Sequence, residues 1–199
     1  MQAHDLLTRY ARGQRDFRGV VVRGISLSEA QLIGANFEGA DLTDVCLAGT
    51  NLTRCNFAHA TLQGAILTAS CLFHASLCWA MLAASVFTSA NLQHAALRGS
   101  NLLGANLESA RLTHADLWSA NLEDADFSRC DLAHADLSGV NLFGADLYGA
   151  NLFGASICGA DVRLADFRSA DLTRVDWSGT DLAKVIWTEA DLWDKARWS

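Results

Sequence analysis

An apolar residue stands at every fifth position of this chain, from Phe17, Val22, Leu27, Leu32 and Phe37 to Trp187 and Leu192, and the register never slips. The run holds 36 repeats, 25 of them centred on Leu and none on a polar residue. A helix repeats near 3.6 residues and a strand near 2.0, so neither keeps one face buried with a strict period of five. The pattern fits a coil that turns a corner every five residues. Four such sides make a square turn, and successive turns stack at strand spacing.

With the apolar centre called i, the other columns divide cleanly. Position i−2 is Ala in 22 of the 36 repeats, i−1 is Asp in 13 and Asn in 9, and i+2 holds 14 of the 15 glycines, Gly13 being the exception. Centres and i−2 residues form an inward pair, and i−1, i+1 and i+2 an outward trio. A small Ala lets the wall approach the Leu or Phe. Gly relieves strain at the corner, and Asp or Asn can hydrogen-bond local amides.

Runs such as Ala40-Asp41-Leu42, Ala105-Asn106-Leu107-Glu108-Ser109-Ala110 and Ala145-Asp146-Leu147-Tyr148-Gly149-Ala150-Asn151-Leu152 resemble the A(D/N)LXX signature of the pentapeptide-repeat family. The resemblance implies an all-β fold, a right-handed quadrilateral parallel β-helix. Thirty-six repeats would then give about nine four-sided coils and a rod of roughly 43 Å.

Residues 1–14 are expected to cap the first coil, 15–192 to form the solenoid and 193–199 to end it. Bare terminal coils expose core and unpaired backbone, so caps are needed. Asp5 reads as a helix N-cap, Leu6, Leu7 and Tyr10 as its apolar face, and Gly13 as its C′ residue. The stretch from Leu6 to Gly13, followed by Arg15-Asp16-Phe17, resembles the opening of cyanobacterial members of the family. The alternative for this end is a basic binding arm, since residues 1–23 hold five Arg against two Asp. At the other end the core turns aromatic. Trp187, Trp193 and Trp198 either lie in a short helical cap over the last coil or form an end-to-end homodimer contact; the chain is expected to be a monomer or such a dimer.

Composition removes several functions. A net charge of −7 and a pI near 5.2 argue against direct nucleic-acid binding. No apolar stretch is long enough for a membrane span, and the start has neither a basic nor an apolar signal region. Six cysteines (46, 55, 71, 78, 130 and 158) contain no Cys-x-x-Cys pair and read as reduced thiols of a cytoplasmic protein.

Residues one coil apart stack, so each outward column reads as a ladder. The most distinctive is i+2 on the fourth face, with His74, His94, His114 and His134 in succession. Such a column can chelate a transition metal, bind an anion when protonated or respond to pH. It is equally a solvated corner that accepts His as readily as Gly, Ser or Arg. Asp126, Asp146 and Asp166 form an acidic ladder on face three. Trp118, Phe143, Tyr148 and Phe153 are expected to be exposed aromatics, each on a different face. Charge is polarised, with 16 acids against 8 bases over residues 108–199.

A coil filled by Leu, Phe and Ala offers no concave, water-excluding site, and no insertion interrupts the repeats. No catalytic role and no cofactor are therefore expected. The leading reading is a non-enzymatic scaffold or regulator acting through an unknown protein partner. The resemblance adds another, since some acidic family members look like B-form DNA and bind type II topoisomerases such as DNA gyrase. Duplex DNA of about 43 Å carries about 25 charges at ~1.7 Å each, far above this chain's −7. The third reading is a metal- or pH-responsive element built on the histidine ladder.

Overall fold

Most repeats place their five backbone amides in the same five ways. In the computed structural model, which describes residues 1–187, the amide of centre Phe17 donates to the Asn36 carbonyl one coil on, at 2.7 Å, and Gly19 at i+2 donates to Glu38 at 2.9 Å. The i−1 amide reaches back, as Asn36 does to Arg15 at 2.7 Å, and the i−2 amide closes a turn, as Ala40 does onto Phe37 at 2.9 Å. The i+1 amide has no backbone partner. Among the described residues, all twelve aspartates and nine asparagines at i−1 accept a hydrogen bond from it through the side chain. The preference at i−1 is therefore the last step in satisfying the backbone.

Parallel bridges join residues twenty apart, from Asp16 with Asn36 through Ser156 with Asp176 to Asp166 with Ile186. Each side contributes one bridged residue rather than a full strand, because a turn interrupts every five residues. Every i+2 residue from Gly19 to Lys184 has positive φ, between 54° and 71°. That left-handed corner is what selects Gly, and twenty other residues occupy it at roughly 1 kcal/mol each.

Inside, the described centres are buried from Phe17 to Trp177, with the Ala column against them. Phe17, Phe37 and Phe57 stack one above another at 5.4 and 5.3 Å. Where i−2 is not Ala, its polar atom finds a carbonyl: Thr50 bonds Leu27 at 2.9 Å, Ser85 bonds Leu82 at 2.6 Å, and the Cys130 thiol bonds Leu107 at 2.8 Å. No buried side-chain polar atom among the described residues lacks a partner.

Helix α1, Ala3–Ala11, covers the first coil. It starts earlier than expected. Gln2 rather than Asp5 is the N-cap residue, and it makes no side-chain cap. Asp5 lies in the first turn, where the helix dipole favours a carboxylate. Tertiary contacts fix this start: the Met1 amine donates to the Val21 carbonyl at 3.0 Å and Leu6 is fully buried. Tyr10 donates to the Ile33 carbonyl at 2.9 Å beneath the Arg15 guanidinium, and Gly13 ends the helix with φ +93°.

Because the turn needs only an acceptor at i−1, Asp146→Asn should leave stability nearly unchanged. Asp146→Ala, which orphans the Tyr148 amide, should cost about 1 kcal/mol in urea denaturation. Equal losses for both variants would remove the turn role.

Candidate functional site

One column of i+2 corners, with residues twenty apart stacked on one another, carries the histidines. His74, His94, His114 and His134 stack face to face with centroids 4.9, 5.0 and 5.1 Å apart and planes within 19° of parallel. All four are exposed. Phe73 meets His74 and His94 edge-on at 4.3 and 5.7 Å, and Phe153 meets His134 edge-on at 5.4 Å. The His134 ring leans over Gly154, where any Cβ would fall 2.8 Å from Nδ1. Parallel rings aim their nitrogen lone pairs side by side, about 5 Å apart, whereas zinc bonds of 2.0–2.1 Å require two nitrogens to converge on one point. Among the described residues, no group of three or more His, Cys, Asp or Glu side chains converges to hold a metal ion.

The acidic ladder is placed as stacked neighbours, Asp126 bridged to Asp146 and Asp146 to Asp166. Each accepts its i+1 amide, from Ser128, Tyr148 and Arg168 respectively. Arg168 also pairs with Asp166 at 2.6 Å, and that hydrogen-bonded guanidinium holds the carboxyl below the usual carboxylate range. The same pairing within one repeat recurs between Arg18 and Asp16, whose carboxyl is lowered to about 2. The ladder thus mixes turn chemistry with partial neutralisation.

Two of the four expected aromatics are exposed, Trp118 at 45% and Tyr148 at 43%. Phe143 and Phe153 are half-buried instead. The Arg163 guanidinium lies over Phe143 at 5.6 Å and that of Arg174 over Phe153 at 5.5 Å, because long side chains of the next coil fold down onto them. Trp187 is half-buried in a ring cluster with Phe167 and Trp177. Trp193 and Trp198 lie outside the described residues.

Sequence reasoning missed one surface. Trp79 is 53% exposed and Met81 47%, and they lie in a stretch of 43 residues between Arg54 and Arg98 that contains no Asp, Glu, Lys or Arg. The missing charge was the signal, readable without any structure.

All six cysteines are free. Burial pushes the Cys55 and Cys130 thiols up to about 12, while the Ser28 hydroxyl and the Ala48 amide lower that of Cys46.

The profile described as pentapeptide repeats matches in eight copies, over residues 16–49, 47–77, 90–129, 120–157, 145–182 and 160–194. The chain belongs to the pentapeptide-repeat family. Among solved structures it is similar to HetL, a pentapeptide-repeat protein involved in heterocyst differentiation regulation in the cyanobacterium Nostoc sp. strain PCC 7120. The two share 30% identity over 94% of each chain, with a TM-score of 0.48. It is also similar to full-length QnrB1, a plasmid-mediated fluoroquinolone resistance protein, at 20% identity over 88% of this chain and 94% of that one, with a TM-score of 0.51. The likeness to QnrB1 is one of fold. No curated protein matches the chain. No described helix is long and apolar enough to cross a membrane.

Two outcomes follow from these placements. Zinc titrated into the protein should find no saturable site at micromolar concentration; saturable binding lost in a His94→Ala/His114→Ala variant would show that the rings unstack to chelate. A thiol reagent at pH 8 should label Cys46 ahead of Cys55 and Cys130, which should react only on unfolding. Labelling of all three at one rate would contradict the assigned environments.

Proposed function

We propose that this protein is a non-enzymatic scaffold that works by protein–protein interaction, as a rod of nine four-sided coils. In this reading residues 1–14 cap one end, 15–192 form the shaft, and 193–199 close the other end or pair two copies there. The rod works in the cytoplasm with its thiols reduced. The observation that supports this most is the ladder itself. Backbone bonding fixes every outward side chain in a straight column at one-coil spacing, a geometry suited to presenting surface and poorly suited to converging groups on a reacting atom.

Mimicry of DNA toward a gyrase is the second reading, favoured by the preference for Asp over Asn at i−1 after Asn106. Since both residues make the same turn bond, that acidity is not demanded by the fold. It is interrupted, however, by the uncharged stretch between Arg54 and Arg98, where a duplex would continue its charge.

Immobilised protein should retain a specific protein from a lysate of its source organism, surviving a wash at physiological salt. It should neither inhibit gyrase supercoiling nor protect gyrase from a quinolone. Retention of nothing beyond what an unrelated repeat rod retains would overturn the scaffold reading, and gyrase inhibition would promote the second one.

A further inference from the structure

The uncharged stretch wraps the rod as a belt. Between Arg54 and Arg98 the chain completes two full turns, and every outward column of those turns lacks formal charge, in a protein whose overall charged fraction is 19%. The turn chemistry changes over the same span. Position i−1 reads Thr61, Ile66, Cys71, Ser76, Met81 and Val86, six successive repeats without Asp or Asn. The family profile skips residues 78–89, in the middle of this belt.

Exposure concentrates on face two of the belt and its edges. Trp79 stands at the corner entering that face and Met81 projects from it, Leu103 lies on the same face one coil on, just past Arg98, and Ile66 follows round the next edge; each is between 41% and 53% exposed. Among the described residues, Trp79 is the only Trp, Phe or Tyr of the twenty non-glycine residues with positive φ, at 60°. Its ring covers Gly99, where any Cβ would fall 2.2 Å from it. A bulky residue in a left-handed corner, still half in water, is strain without full packing return, a combination that marks function more often than architecture. The Gln63 and Ala83 amides at i+1 lie on the same face. Neither is met by the side chain at i−1, since Thr61 and Met81 stand where Asp or Asn would be.

Charge returns at both ends of this plate with one sign. Asp44 and Asp124 lie in a single column at the far edge of face two, four coils apart, both exposed; their backbone amides join the ladder, while among the described residues their carboxylates make no hydrogen bond or ion pair. Four coils span about 19 Å. Interface cores are poor in charge and rich in Trp and Met, with polar groups at the rim, which is the arrangement here.

We propose that this plate docks a short amphipathic protein segment, apolar along one side and carrying a Lys or Arg at each end. Its apolar side covers Trp79, Met81 and Leu103, and its cations meet Asp44 and Asp124. A helical segment of about 13 residues has the reach between the two carboxylates. An acidic segment is rejected, because face two offers no cation between Asp44 and Asp124 and both of its ends there are anionic. This deepens the scaffold reading and rests on it.

The test uses the intact protein and a labelled helical peptide of about 13 residues, leucine along one side and lysine in its first and last turns, followed by fluorescence anisotropy. The variant Trp79→Gly/Met81→Thr keeps the fold, since Gly suits the corner and Thr61 already occupies the equivalent place one coil below; its thermal midpoint serves as the control. It should weaken binding at least about tenfold. Asp44→Asn/Asp124→Asn should weaken it about threefold and flatten its salt dependence. A peptide with glutamate in place of lysine should not bind. Unchanged affinity in Trp79→Gly/Met81→Thr, or equal binding of the glutamate peptide, overturns the proposal. If the rod captures the same lysate protein with and without the double substitution, the scaffold reading stands and the docking plate falls.

Discussion

The hydrogen bond from the centre amide to the carbonyl nineteen residues on, made by every centre from Phe17 to Ile157 and again by Phe167, sets the described repeats in register. It fixes the rise per coil, which fixes the distance between side chains in every column, inside and out. Inside, the same spacing brings Phe17, Phe37 and Phe57 into a stack and Leu onto Leu. Outside, it brings four imidazoles to about 5 Å. An inserted residue anywhere would move every later centre off the core, and for this reason the period of five holds without interruption.

Four of the five amides in a repeat are bound by backbone, and the fifth waits for a side chain. That division separates what the fold dictates from what it leaves open. The left-handed corner at i+2 asks for Gly and tolerates others at a small cost. The i−1 position asks for an acceptor and does not distinguish Asp from Asn, because Oδ1 serves in both. Charge at i−1 is thus a free variable of the architecture. Where Asp or Asn stands there, it is Asn five times and Asp twice before Asn106, and Asp eleven times and Asn three times after it, a shift the fold does not set.

The core and the ladders were legible in the sequence because they follow from period alone: once Phe17 and Leu192 lie in one register, His74 must stack on His94. The helix start was not, since Gln2 has no capping signal and its place is set by the Met1 amine bond to Val21 and by buried Leu6. Nor was the cover on Phe143 and Phe153, which depends on how Arg163 and Arg174 fold down from the next coil rather than on column identity. Trp79 and Met81 escaped for a different reason. Column counting looks for what repeats, and the belt is defined by residues that stop repeating.

That last point bears on how any such rod acquires specificity. A convex shaft cannot enclose a ligand, so discrimination must come from the order of chemistry along its length. Uniform acidity would attract any cationic surface and hold it nowhere in particular. An uncharged plate bounded by Asp44 and Asp124 does more, because a bound segment that slips by one coil loses contact with at least one carboxylate while its apolar side rides onto charged coils. The flanking charges therefore act as a register mark for the partner, much as the backbone ladder marks register for the chain.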